Sequence, residues 1–198
     1  DTYKKVLEFN PRLFAAADEL SILYVDSSHF SEAENLMREQ VKFDPKSSSP
    51  QGRLAWIQYK KGDLRLATKT LRSILLNDSR YEWGWRLQFS LLHELKDTKI
   101  NKEILCDEWK TERMVDMPLL RVRRLEILSD IKGLDGLCEE EWLALIKDFP
   151  KDLRVVLRRF DALEEEKPQK AWELLSSVEK NFPNESLILS RKIPHLLK

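Results

Sequence analysis

The sequence predicts an all-α protein built from repeated pairs of helices, and three observations lead to this expectation. Only 5 of the 198 residues are glycine, while the strong helix formers Leu, Glu, Lys, Arg and Ala dominate the composition. Turn residues, mostly proline, return at a nearly constant interval. A small residue precedes most of these turns by a fixed distance.

The interval between turns defines the repeat. The turn residues are Pro11, Pro45, Ser79 in the corresponding place, Pro118, Pro150 and Pro183. Their spacings are 34, 34, 39, 32 and 33 residues, close to the length of two helices with two turns. Proline marks these places because it cannot extend a helix interior and disfavours helix in the preceding residue. We therefore expect a single domain of helix pairs at about 12–45, 46–79, 80–118, 119–150 and 151–183, with partial or capping helices at 1–11 and 184–198.

A small residue marks the second helix of each pair. Twelve positions before the last five turn residues lie Ala33, Ala67, Cys106, Cys138 and Ala171. Only a small side chain lets two helix backbones approach to about 8 Å, so we expect these residues at helix crossings. Four positions later lie Met37, Leu71, Lys110, Trp142 and Leu175. All but Lys110 are large and apolar, as packing on a neighbouring helix requires, and Lys110 belongs to the longer 39-residue interval.

Turn chemistry inside the pairs supports the same boundaries. In "YKKGDLRLA" Gly62 stands where a first helix should end, and Asp63 stands where it could cap the second. In "FSEAENL" Ser31 precedes Glu34 by three residues, which predicts a capping box. Pro168 is placed for the first turn of a helix.

Charge and cysteine content restrict the class of protein. The 34 basic and 34 acidic residues cancel, so no net field attracts nucleic acid or an anionic membrane. Two cysteines are no disulfide framework and favour a reducing, intracellular and most simply cytoplasmic location. No apolar run is long enough for a membrane helix and no leader opens the chain. Since the sequence starts at Asp1 inside a helical pattern, we expect a segment of a longer protein or subunit.

The sequence offers no catalytic motif. It has no glycine-rich phosphate loop, no HExxH and no CxxC, and His29, His93 and His195 are scattered. Cys106 and Cys138 occupy the small-residue position, where a free cysteine packs as a small hydrophobe. We expect a protein that is not an enzyme and that has no cofactor and no metal site.

These markers together resemble the tetratricopeptide repeat. The likeness rests on the 34-residue unit, the Gly-Asp turn before an apolar helix, the small residue twelve before the turn and the large residue between them. It implies an α-α superhelix, a right-handed solenoid of about five helix pairs. The half-a-tetratricopeptide repeats of RNA-processing factors and the prenyltransferase alpha-subunit repeats are similar alternatives. "YEWGWRLQFSLL" at 81–92 resembles the latter.

The resemblance implies a concave groove lined by the first helix of each pair. The groove residues that it assigns are Arg53, Trp56, Tyr59, Lys60, Trp83, Arg86, Arg123 and Arg124. The same register gives an acidic start at Asp18, Glu19 and Asp26, and an apolar end at Val156, Leu157 and Phe160. Arginine binds carboxylate through a bidentate fork and aromatic rings supply rigid contact area, so we expect an acidic peptide as ligand.

Plainer interpretations accompany the groove. Large aromatic residues at helical spacing are often core, and this applies to Trp56, Trp85, Trp109, Trp142 and Trp172. The arginines could form ordinary surface ion pairs. The leading function is a protein-interaction scaffold within a larger complex. The alternatives are single-stranded RNA binding through "RVRR" at 121–124 and "RVVLRR" at 154–159, or the helical partner subunit of a transferase.

Overall fold

The computed structural model describes residues 2–109, 116–183 and 185–196, the last four of them as backbone only, and every regular element in these ranges is helical. The chain divides into two compact units. We name residues 1–113 the N-terminal body and residues 114–198 the C-terminal body. The predicted single domain stays a prediction, and each body is described by itself.

The N-terminal body consists of three and a half helix pairs. Its helices are α1 (Thr2–Phe9), α2 (Phe14–Asp26), α3 (Phe30–Phe43), α4 (Ser48–Lys60), α5 (Leu64–Asn77), α6 (Glu82–Leu95) and α7 (Thr98–Lys102), which continues as a π-helical turn (Glu103–Asp107). Consecutive helices from α1 to α6 pack on each other, and α4 also lies beside both α2 and α6. The helices α2, α4 and α6 therefore form one row, which carries the candidate site.

The C-terminal body repeats this arrangement. Its helices are α8 (Pro118–Ser129), α9 (Asp135–Asp148), α10 (Leu153–Glu164), α11 (Pro168–Val178) and α12 (Ser186–Leu196), with a 3-10 turn (Glu179–Asn181) after α11. Helix α10 packs against α8, α9 and α11. Pro168 is the first residue of α11, as predicted. None of the helices in the described ranges has the length and the hydrophobicity to span a bilayer.

Four of the five residues predicted at helix crossings are buried. Ala33, Ala67 and Ala171 have no exposed surface, and Cys138 is buried. Ala33 belongs to a core cluster with Met37, and the other two alanines lie in clusters with Leu71 and Leu175. Cys106 is only half-buried, because it lies in the π-helical turn of the longer interval. Lys110 lies outside the described residues.

Two of the predicted caps differ from the structure. Gly62 has φ of +93°, the left-handed conformation in which glycine ends a helix without strain. Asp63 stands at the N-cap of α5, but its side chain makes no capping hydrogen bond. The capping box at Ser31 is wrong, because α3 already begins at Phe30 with His29 as its N-cap.

Polar contacts join the start and the end of individual helix pairs, between residues 29 to 31 apart. The Gln40 side chain donates to the Pro11 carbonyl at 2.8 Å, 29 residues away. The Ser48 hydroxyl donates to Asp78 at 2.6 Å, 30 residues away, and Asn181 donates to the Pro150 carbonyl, 31 residues away. The end of the second helix therefore lies beside the start of its own pair in these three places.

Candidate functional site

The candidate site lies on the row of first helices in the N-terminal body, which we name the α2–α4–α6 face. On α4, Ser49, Arg53, Trp56 and Lys60 follow one another at intervals of four, three and four residues. This spacing places all four on one side of the helix. Because α2 and α6 flank α4, side chains from three helices meet along this side.

An ion pair joins α2 to α4 at one end of the face. Arg53 Nε donates to Asp18 Oδ1 at 2.5 Å, and Arg53 Nη2 donates to Asp18 Oδ2 at 2.8 Å. This is the bidentate geometry that guanidinium and carboxylate prefer. The Arg53 side chain is only 16% exposed. The acidic start and the basic centre of the expected groove therefore neutralise each other.

Two tryptophans enclose the Arg53 guanidinium. Its carbon lies 4.7 Å from the Trp56 ring centroid and 5.6 Å from the Trp83 ring centroid, within the range of cation–π attraction. Trp56 is half-buried, whereas Trp83 keeps 38% of its surface exposed. Arg53 is thus held on three sides, and the exposed part of this assembly is the Trp83 indole.

A cavity of about 210 Å³ opens beside this assembly. Its lining residues come from α2, from α4 and from the start of α6: Phe14, Asp18, Ser49, Arg53, Tyr81 and Trp83. The Tyr81 and Trp83 ring centroids are 5.9 Å apart. Burial raises the pKa of Tyr81 to about 12, so its phenol is neutral at physiological pH. The cavity is therefore lined by three aromatic rings and by the Asp18–Arg53 ion pair, in which the two charges neutralise each other.

Two glycines make room for the Tyr81 ring. A Cβ on Gly52 would lie 2.4 Å from the Tyr81 hydroxyl oxygen, and a Cβ on Gly84 would lie 2.4 Å from Tyr81 Cδ1. Gly52 lies one turn into α4 and Gly84 lies in the first turn of α6, and glycine in a helix costs up to about 1 kcal/mol relative to alanine. Close packing of Tyr81 between α4 and α6 explains why glycine occupies both positions.

The other end of the face is more polar. The Tyr59 hydroxyl donates to Glu94 Oε1 on α6 at 2.5 Å, and this hydrogen bond raises the Tyr59 pKa. Lys60 Nζ lies 5.7 Å from the Trp56 centroid and 5.6 Å from the Tyr59 centroid. In the described part of the chain no carboxylate pairs with Lys60, which is exposed. Lys60 is therefore an unneutralised cation supported by two aromatic rings.

Arg86 lies on α6 in an ordinary surface pair. Its guanidinium donates to Glu82 one helical turn earlier, and both side chains are more than half exposed. Exposed pairs of this kind contribute little to stability and exchange readily with solvent. Of the two predicted groove residues on α6, Trp83 contacts a residue of another helix, Arg53, whereas Arg86 pairs within its own helix.

The predicted groove arginines of the C-terminal body have opposite environments. Arg123 is exposed and pairs with Glu126 at 2.8 Å. Arg124 is only 3% exposed and pairs with Glu141. Its neighbour Arg121 is buried as well and donates to Asp148 at 2.9 Å. Arg124 is part of the packed interior of this body and does not present its guanidinium to a ligand.

The expected apolar end of the groove is wrong. Val156 and Phe160 have no exposed surface, because they form a core cluster with α11 and α12, and Leu157 is half-buried. The core interpretation is confirmed for Trp85, Trp109 and Trp142, which are at most 6% exposed. Trp56 and Trp172 are half-buried.

The C-terminal body has a cavity of its own, of about 230 Å³. It is rimmed by carboxylates that include Glu126, Asp130 and Glu139. Arg159 also lines it, pairs with Glu139 and lies 5.4 Å from the Trp142 centroid. The position in this cavity that would suit a bound cation, between Glu139 and the Trp142 ring, is therefore filled by the guanidinium of Arg159.

Sequence reasoning missed Phe14, Ser49 and Tyr81 as lining residues. The usable signal was Gly52 together with Gly84, two glycines inside helices, which indicate that another group approaches closely. It also missed the pairing of Asp18 with Arg53. Their separation of 35 residues, close to one repeat, places them at equivalent positions of neighbouring pairs.

Solved structures of two other proteins share this fold. YrrB, described as a TPR protein with an unusual peptide-binding site, aligns with a TM-score of 0.54 and 14% identity over 97% of this chain and 98% of its own. PilF of Pseudomonas aeruginosa aligns with a TM-score of 0.54 and 17% identity over 88% of this chain and 79% of its own. No protein-family model matches the chain, and no curated protein matches its sequence. The chain has a tetratricopeptide-like helical fold, as its repeat spacing predicted.

Proposed function

We propose that this chain is a non-catalytic protein-interaction module that binds a segment of a partner protein on the α2–α4–α6 face. The observation that carries this proposal is the cavity beside Trp83, which residues of three helices line and to which α2 and the start of α6 contribute aromatic rings. Exposed tryptophan over a satisfied polar floor is typical of interface anchors, because it offers contact area without unpaired polar groups. YrrB, which shares the fold, is described as having a peptide-binding site.

The contacts change the composition of the proposed groove. Arg53 now acts as a support for Trp83, because Asp18 already occupies its Nε and Nη2 atoms. Lys60 and Trp83 remain as exposed groups with unused binding capacity. Arg124 is left out, because its side chain is buried. The proposed ligand therefore needs fewer acidic groups than the sequence suggested.

Ion pairing in the C-terminal body favours protein over RNA as the partner. The two segments "RVRR" and "RVVLRR" contain six arginines, and each has a carboxylate partner. Their carboxylate partners are Asp148 for Arg121, Glu126 for Arg123 and Arg158, Glu141 for Arg124, Asp152 for Arg154 and Glu139 for Arg159. Phosphate contacts supply most of the affinity for nucleic acid, whereas the side chains of Arg121, Arg124 and Arg159 are at most 12% exposed and are held in their own ion pairs.

A peptide selection tests the proposal. A random twelve-residue library displayed on phage would be selected on the wild-type chain, and the enriched pool tested on the Lys60→Glu, Trp83→Ala double variant. The matched control is Lys69→Glu, Leu76→Ala on α5, which changes one exposed lysine and one exposed apolar residue of the same body. We expect at least tenfold weaker binding to the first variant and unchanged binding to the control. The proposal fails if no pool enriches, or if the pool binds both variants equally.

A further inference from the structure

We infer that the ligand of the α2–α4–α6 face is an extended peptide with an apolar anchor residue and an acidic residue three positions away. This inference rests on the proposed function and specifies the ligand of the same site. It follows from the separation along α4 between Arg53, which lines the cavity, and Lys60, from the shape of the surface and from its charge.

The anchor position is the cavity beside Trp83. Its volume of about 210 Å³ is that of a single large side chain, not of a helix. Phe14, Tyr81 and Trp83 supply its aromatic walls, and Asp18 with Arg53 closes it without an unpaired charge. A leucine, methionine or phenylalanine side chain buries its apolar area there, whereas a charged side chain loses hydration without gaining a partner.

The acid position is Lys60. Its ammonium group is exposed, lies over Trp56 and Tyr59, and has no carboxylate partner in the described part of the chain. Glu94, which is on the neighbouring helix α6, accepts the Tyr59 hydroxyl at 2.5 Å and forms no salt bridge with Lys60. A ligand carboxylate would therefore complete a charge pair that the fold leaves open.

The separation of the two positions sets the spacing in the peptide. Arg53, which lines the cavity, and Lys60 are seven residues apart on α4, which is about 10 Å along the helix axis. A polyproline-type extended chain has three residues per turn and a rise of about 3.1 Å, so residues three apart lie on the same side and about 9 Å apart. Aromatic-lined surfaces commonly bind this conformation.

A helical ligand fits the face less well. An amphipathic helix needs a continuous apolar groove for its side chains at positions i, i+3, i+4 and i+7. Here the apolar cavity occupies one end, and the other end carries Lys60 and the Tyr59–Glu94 hydrogen bond. One apolar anchor followed by one charge matches an extended segment instead.

Defined peptides test the spacing. The probe is fluorescein-labelled Ala-Pro-Phe-Pro-Pro-Glu-Pro-amide, compared with peptides in which the glutamate is two or four positions after phenylalanine and with a glutamine version. We expect the three-position peptide to bind at least threefold tighter by fluorescence anisotropy than the shifted and glutamine peptides. We also expect Lys60→Gln to abolish the preference for glutamate, and Trp83→Ala to weaken all of these peptides.

The outcomes separate the inference from the function on which it rests. Equal binding of the shifted peptides, binding of none of them, or an equal effect of Lys60→Gln on the glutamate and glutamine peptides overturns the inference. The proposed function is judged by the phage selection instead. One further outcome is a set of selected peptides that require Lys60 and Trp83 for binding and yet lack an acidic residue three positions from an apolar one. That result would support the proposed function and overturn the inferred spacing.

Discussion

Asp18 and Arg53 are 35 residues apart in sequence, yet two hydrogen bonds of 2.5 and 2.8 Å join their side chains. The pair connects the first helices of two successive repeats. It also fixes the guanidinium between Trp56 and Trp83. Because the pair is mostly buried, its first effect is on stability, and it affects binding on this face by supporting Trp83 and by lining the cavity.

Removal of one partner of this pair should destabilise the protein more than removal of both. Asp18→Ala leaves the half-buried Arg53 charge without its carboxylate, and we expect a loss of about 2 kcal/mol in the free energy of unfolding. Asp18→Ala with Arg53→Met removes the orphaned charge and keeps the packing, so much of the loss should be recovered. Urea denaturation followed by circular dichroism measures both. A double variant no more stable than Asp18→Ala would contradict the interpretation.

The contacts of Tyr81 predict that Gly84→Ala lowers the stability of the wild-type chain but raises that of a chain without the Tyr81 ring. Gly84→Ala should destabilise the wild-type chain by about 1–3 kcal/mol, because the new Cβ would lie 2.4 Å from Tyr81 Cδ1. In a Tyr81→Ala background the clash with the ring is gone and only the flexible end of Leu75, with Cδ2 at 3.2 Å, has to yield slightly, so alanine should stabilise α6 by up to about 1 kcal/mol. Thermal and urea denaturation of the four chains give the comparison.

Gly136→Ala is the control for this prediction. No atom lies within 4 Å of a Cβ built on Gly136, which belongs to the first turn of α9. We expect it to leave stability unchanged or slightly raised in either background. Destabilisation by Gly84→Ala of equal size with and without Tyr81 would show that the ring is not the cause.

The repeat and its core were predictable because both depend on local rules. Turn spacing and small residues such as Ala33 and Ala171 report helix length and helix crossing, which neighbouring residues determine. Charges were harder to interpret. Asp18 and Arg53 read as separate features of a groove until the packing of α2 against α4 brought them together.

The burial of Arg121 and Arg124 could have been inferred from their register. With Leu125 and Leu128 they occupy positions i, i+3, i+4 and i+7 of α8, which is the stripe that a helix buries. Residue type suggested a surface, whereas position indicated the interior. The π-helical turn that leaves Cys106 half-exposed was not predictable in the same way. Its only sign in the sequence is the longer 39-residue interval, which does not specify how the extra residues are placed.

The two adjacent arginines of α8 should respond differently to truncation. Arg124→Ala removes a buried guanidinium from Glu141 together with its packed stem, and we expect a loss of about 2–4 kcal/mol. Arg123→Ala breaks an exposed pair with Glu126 and should cost less than about 1 kcal/mol. Denaturation of the two single variants decides this. Equal stability of Arg124→Ala and Arg123→Ala would contradict the conclusion that Arg124 is a buried, structural residue.

The buried phenol of Tyr81 predicts a loss of stability at alkaline pH. Its folded-state pKa is about 12, above the ordinary value of 10.0, chiefly because burial disfavours the phenolate. A raised folded-state pKa means that the contribution to stability is complete below pH 10 and is lost as the pH rises from 10 towards 12. We therefore expect the free energy of unfolding to fall more steeply over this range in the wild type than in Tyr81→Phe, which cannot ionise.

Tyr59→Phe is the comparison, because the Tyr59 pKa is raised by its hydrogen bond to Glu94 and not primarily by burial. Phenolate absorbance of the folded chain gives an independent measurement, in which Tyr81→Phe should remove a late-titrating component. Identical stability profiles for the wild type and Tyr81→Phe would mean that Tyr81 is not enclosed between Gly52 and Gly84, and the cavity beside Trp83 would then lose one of its walls.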